Sequence, residues 1–152
     1  MPVKTLKNFL DSNKVKYISI SHSPAYSAQA IAALVHIPGQ ELAKTVIVKI
    51  DDAYAMAVLP ASFLVDISHL KTAVSATHVR LASEDEFKGL FPDCEMGAMP
   101  PFGNLYGMDV YVAEQLTEDE EIAFSAGLHT ELVRMSYKDF ENLVRPEVIA
   151  LT

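Results

Sequence analysis

Two runs rich in β-branched and apolar residues, K-T-V-I-V-K-I at residues 44–50 and Y-A-M-A-V-L at residues 54–59, stand on either side of Asp51 and Asp52. Such runs around a short acidic turn read as an antiparallel hairpin. No other stretch of the chain constrains the fold as strongly.

The rest of the chain alternates short helices and strands. Val3, Leu6, Phe9 and Leu10 fall at helical spacing, and residues 16–22 then alternate, with Ile18 and Ile20 on one face before a turn at Ser23 and Pro24. A second helix is expected from Ser27, carrying Ala28, Ile31, Leu34 and Val35 and stopping near Pro38 and Gly39. Ser83 with Glu86, and Ser136 with Asp139, have capping-box spacing ahead of Phe87, Leu90 and Phe91 and of Phe140, Leu143 and Val144. Residues 109–113 and 131–135 read as further strands. Pro and Gly fall between these segments, with no repeat or low-complexity tract. The expected fold is α/β: a single compact domain over residues 1–152, with a mixed, largely antiparallel sheet or partial barrel flanked by helices.

Composition narrows the function. With 152 residues, 50% of them apolar, the chain can bury one core. It has no apolar stretch of the ~20 residues needed to span a bilayer and no apolar leader, so a cytoplasmic protein without a membrane partner is expected. Twelve Lys and Arg against twenty Asp and Glu give a net charge of −8, which argues against a DNA partner or any protein that coats nucleic-acid backbone. Lys4, Lys7, Lys14 and Lys16 near the start and the acidic run at residues 118–121 are solvated surface on the simplest reading. Cys94 lacks a disulfide partner and any thiolate-stabilising neighbour in sequence, and reads as a half-buried apolar residue. His22, His36, His69 and His78 show no metal-ligand spacing, and no phosphate-binding, dinucleotide or nucleophile-elbow motif is present, so no metal or cofactor is expected.

Three features could carry chemistry. Strand alternation puts Lys44 with Val46, Val48 and Ile50, and Lys49 with Thr45 and Ile47. Lys44 therefore faces inward. An ammonium there either lines a water-filled cleft with a function or snorkels from the sheet edge, and parity does not choose between the two. In G-A-M-P-P-F-G at residues 97–103, two glycines bracket two prolines and a ring. The loop is stiff yet permits close backbone approach, so it could offer amides to a developing oxyanion or serve as a rigid connection with Phe102 in the core. In S-A-G-L-H-T-E at residues 125–131, His129 sits beside a hydroxyl and a carboxylate. It could orient a substrate or move a proton, or simply cap a turn.

Taken together, A-K-T-V-I-V at residues 43–48, the G-A-M-P-P-F-G loop and the S-A-G-L-H-T-E turn resemble the YbaK/prolyl-tRNA-editing family in order and spacing across nearly the whole chain. The resemblance implies a trans-editing esterase that removes a small amino acid, such as Ala, Cys or Ser, from mischarged tRNA, chiefly the proline-accepting one. It implies catalytic roles for Lys44, Gly97, Gly103 and His129, and substrate contacts from His22, Ala98, Pro100, Pro101, Phe102, Gly127 and Thr130. The partner would be the aminoacylated acceptor end of tRNA, with prolyl-tRNA synthetase or an elongation factor helping to read tRNA identity, given the scarcity of basic residues. The alternative is a non-catalytic module that binds aminoacyl-tRNA ends or a synthetase. Val112, Ala113 and Glu114 lack an aspartate common in relatives, which leaves the amino acid open.

Overall fold

The computed structural model describes residues 2–25, 28–35, 37, 38 and 40–152. Its elements are α1 (Lys4–Ser12), β1 (Tyr17–Ser21), α2 (Ala28–Val35), β2 (Leu42–Ile50), β3 (Ala53–Pro60), α3 (Ile67–Val74), β4 (Val79–Leu81), α4 (Glu84–Phe87), β5 (Asp109–Ala113), β6 (Glu121–Ser125), β7 (Glu131–Ser136), α5 (Tyr137–Val144) and β8 (Glu147–Ile149). Ser27, His36 and Gly39, which enter the expected second helix, its stop and the histidine survey, lie outside the described residues.

The β2–β3 hairpin forms as the sequence predicts, with Ile50 paired to Ala53 around Asp51 and Asp52. Asp51 takes a positive φ of 52°, and its Oδ1 accepts the amides of Thr77 and His78 at 3.0 and 2.8 Å. The turn is thereby tied to the segment leading into β4. Around the hairpin runs one open sheet in the order β1-β7-β6-β2-β3-β5-β8, with β4 also paired to β2. Pairs β1/β7, β6/β7, β2/β3 and β2/β4 are antiparallel, and β2/β6, β3/β5 and β5/β8 are parallel. The mixed, mostly antiparallel expectation holds, and the sheet does not close into a barrel.

Both faces of the hairpin are covered. On one, Leu6 and Leu10 of α1, Phe140 of α5, Phe102 and Phe124 pack with Ile47 and Met56. On the other, Leu70 of α3 and Leu151 pack with Val48, Ala57 and Leu59. A third cluster joins Ile31 of α2 and Ile37 to Leu42 and Leu132. Each side chain so buried contributes about 1.5–3 kcal/mol. β3 accordingly reads as a near-continuous apolar run, as strands covered on both faces do.

Some elements differ from expectation. The strand expected over residues 16–22 is shorter, and as an edge strand it leaves Ile18 58% exposed while Ile20 packs on the third cluster. The helix expected through Phe91 is a single turn followed by a tighter 3-10 turn to Leu90, because Pro92 disfavours helical backbone at Phe91. Phe87 and Phe91 are buried, and Leu90 is exposed. At α5 the reading holds, with Ser136 Oγ accepting the Asp139 amide at 3.0 Å.

Residues 98–103 are buried throughout. The Phe102 ring lies between those of Phe9, Phe124 and Phe140, with centroids 6.0, 5.4 and 5.5 Å away. A Cβ at Gly103 would strike the Met108 carbonyl oxygen and sit 2.6 Å from Val110 Cγ2. Phe102→Ala is expected to cost about 3–5 kcal/mol and Gly103→Ala about 1–3 kcal/mol, each measured as a lower urea midpoint. A Phe102→Ala protein as stable as the parent would place that ring outside the core.

Candidate active site

β2 changes partners along the edge opposite β3. It pairs with β6 at Leu42 and Ala43, then with β4 from Val48 onward, so residues 44–47 belong to neither register. A cavity of about 180 Å³ opens where β6 parts from β2. Leu42, Ala43, Lys44 and Thr45 line it from β2, Ser125 from the end of β6, Ile31 from α2, Gly97 and Met99 from the proline loop, and His129 from the β6–β7 turn. The three motifs singled out in the sequence meet here.

Lys44 shares the face of Val46, Val48 and Ile50, as strand parity requires, and those three pack on the second cluster. Facing inward does not itself distinguish it, since both faces of β2 are covered. What distinguishes Lys44 is its place at the gap in the sheet edge. Among the described residues no carboxylate forms an ion pair with it, and desolvation lowers its pKa below the usual lysine value. Lys49 instead lies at the far end of the strand, its ammonium 5.6 Å from the centroid of the Tyr54 ring.

His129 is 8% exposed, and two of its bonds tie it to residues 95 and 96. Its backbone N–H donates to Glu95 Oε1 at 2.8 Å, and its Nε2 lies 2.6 Å from the Met96 carbonyl oxygen. A carbonyl can only accept, so Nε2 carries a proton. The turn is joined to the proline loop by backbone bonds: Glu95 N–H to Gly127 O at 2.7 Å and Gly127 N–H to Ala98 O at 2.8 Å. Gly97 has φ +87°, and its N–H points at Met99 Sδ 3.2 Å away, a weak acceptor from which an amide is easily drawn.

Of the residues nominated from sequence, Lys44, Gly97 and His129 line the cavity. Ala98, Pro100, Pro101, Phe102 and Gly103 are buried behind the loop and shape it from the core rather than lining the cavity. Gly127 belongs to the joined turn, with the Val3 side chain lying over it. His22 and Thr130 flank the same turn: the His22 N–H donates to Thr130 O at 2.9 Å, Nδ1 lies 2.8 Å from Ser23 O, and Nε2 is buried without a partner among the described residues. Ala43, Thr45, Ser125, Met99, Leu42 and Ile31 line the cavity unanticipated, although Ala43, Thr45, Met99 and Ser125 fall inside the quoted motifs. Glu95 gives no signal in sequence. Cys94 is half-buried, its thiol pushed up to about 11 by burial. Among the described residues no group of His, Cys, Asp and Glu could hold a metal, and no helix is long and apolar enough to cross a membrane.

Comparison with known proteins gives the family and the fold. A multifunctional Ser/Thr-tRNA deacylase of Escherichia coli (strain K12), ProXp-y, is 26% identical over 136 residues, 86% of this chain and 80% of the relative. The crystal structure of a hypothetical protein superposes with a TM-score of 0.87 at 18% identity, covering 97% of this chain and 99% of that one. A proposed trans-editing enzyme for prolyl-tRNA synthetase superposes with a TM-score of 0.82 at 19% identity, covering 98% and 95%. At such identities these structural likenesses speak for the fold alone. The aminoacyl-tRNA editing domain matches residues 22–143, from His22 beside the turn to Leu143 in α5, and the chain belongs to that family.

Proposed function

We propose that this protein hydrolyses the ester joining a small, wrongly attached amino acid to the 3′ end of a tRNA, releasing the free amino acid and the tRNA. The observation that carries this reading is the desolvated Lys44 ammonium at a small cavity beside a loosely held Gly97 amide. Pockets that enclose drug-sized ligands run to ~300–1,000 Å³, so about 180 Å³ suits the aminoacyl group and leaves the terminal adenosine outside. Thr45, Ser125 and His129 add polar groups to the wall, which favours serine within the expected set of alanine, cysteine and serine. The Ser/Thr specificity in the name of the Escherichia coli relative points the same way. The proline-accepting tRNA is the carrier suggested by the family resemblance, with prolyl-tRNA synthetase or an elongation factor as the partner that reads it.

In this mechanism the nucleophile is a water molecule from outside the protein, which the neighbouring ribose hydroxyl of the substrate orients. As it adds to the ester carbon, the Lys44 ammonium and the Gly97 N–H stabilise the oxyanion. The bond to the ribose oxygen then breaks and that oxygen takes up a proton. His129 holds the proline loop in place through its Nε2–H. Gly103 and Phe102 act by fixing the loop.

Lys44→Ala is expected to lower single-turnover deacylation about 10²–10³-fold across a panel of Ala-, Cys-, Ser- and Thr-charged tRNAs, with tRNA binding retained. Unchanged rates would sink the assignment. Binding without turnover by the unmodified protein across the panel would instead identify a module that holds aminoacyl-tRNA ends. Lys44→Met should leave the thermal midpoint unchanged or raise it, because it removes a desolvated charge that has no ion-pair partner among the described residues.

The lowered pKa of Lys44 also sets a pH dependence. The folded protein releases this proton at lower pH than the unfolded chain, so stability rises with pH between the two pKa values. Catalysis moves the other way. The rate above the uncatalysed background should fall as pH rises through the lowered pKa, beginning below the usual lysine value of 10.5. Lys44→Arg, which stays charged, should lose that alkaline limb.

A further inference from the structure

A second cleft, of about 460 Å³, lies along the same edge of β2, where β4 has replaced β6. Lys49, Lys71, His78 and Arg80 line it together with Asp51 and Ser68. Three of the twelve Lys and Arg of a chain with net charge −8 therefore border one cleft. The local acids are largely engaged: Asp51 Oδ1 accepts two backbone amides, and Glu86 grips Arg80 through bonds of 2.6 and 2.7 Å while accepting the Tyr54 hydroxyl. Among the described residues Lys71 has no ion-pair partner. Lys44 and Lys49 are five residues apart on one strand, which places the two cavities roughly 17 Å apart, a span that the unpaired 3′ end of a tRNA bridges.

We propose that this cleft binds the phosphodiester backbone of the RNA behind the amino-acid ester, so that the ester cavity and the cleft hold one acceptor strand at two points. The inference rests on tRNA being the substrate. Lys49 and Lys71 supply the charges, and Arg80, whose guanidinium is paired with Glu86, offers its remaining N–H groups as donors rather than net charge. An acidic protein can hold RNA in this way because phosphate contacts are gathered at one place rather than spread over its surface.

The test compares the unmodified protein with Lys71→Glu and Lys71→Arg on charged tRNA and on a short aminoacyl-adenosine that lacks the upstream phosphates. Deacylated-tRNA binding is measured alongside. Lys71→Glu should raise KM for charged tRNA about tenfold with kcat unchanged, weaken tRNA binding equally, flatten its salt dependence and leave the short substrate untouched. Lys71→Arg should restore the parent values. Equal effects on both substrates, or none on tRNA, would overturn the proposal even if hydrolysis is robust. If no charged tRNA is hydrolysed but Lys71→Glu still abolishes tRNA binding, the cleft stands and the esterase reading fails. No binding of tRNA by the parent protein would overturn the cleft.

Discussion

The site exists because one central strand cannot keep the same neighbour along its whole edge. β2 is nine residues long, whereas its parallel pairing with β6 covers Leu42 and Ala43 and its antiparallel pairing with β4 covers Val48 to Ile50. Where β2 passes from one neighbour to the other, residues 44–47 are left outside both registers. Here the gap falls at Lys44 and Thr45, and the hairpin bond to β3 on the other edge keeps both residues in place. The cavity walls are then supplied by whatever the chain brings to that opening. The joined loop and turn, residues 95–98 with residues 127–129, are held to each other by backbone bonds and not by side-chain packing alone.

That arrangement gives the lysine its chemical character. An ammonium at an ordinary sheet edge would be solvated and its pKa would stay near the usual value. At the gap it is desolvated without an ion-pairing carboxylate among the described residues, which is a cost to the fold. Lys49, on the same strand, stays near water against an aromatic ring and contributes field rather than strain. The two lysines differ by their place along β2 more than by the face they occupy.

Much of this was legible in the residues, for physical reasons. The hairpin announced itself through two β-rich runs and an acidic turn, and α5 through its serine cap, because both signals are local. β4 and β8 are three residues each, too short for any periodicity to show, and α3 is marked only by the Asp66 cap that accepts the His69 amide. At the candidate site, the residues that meet at the cavity come from motifs distant in sequence, which no local signal brings together. Composition could not tell which residues of G-A-M-P-P-F-G face the cavity and which face the core. Gly97 and Gly103 look alike in sequence, yet one borders the cavity and the other is pressed against Met108.

The two-residue contact between β2 and β6 has a consequence for folding order. The β2–β3 hairpin closes over a two-residue turn, so it can form early, whereas Leu42 and Ala43 meet Ala123 and Phe124 only after more than half the chain has been brought round. The wall of the cavity thus rests on a non-local pairing that is also the shortest in the sheet. Opening that seam would part β6 from the hairpin while leaving untouched the second apolar cluster, which holds no residue of β6. In amide exchange, the backbone around Ala43 and Phe124 should then report on a local breathing motion distinct from global unfolding, and a ligand seated between the two strands would slow it.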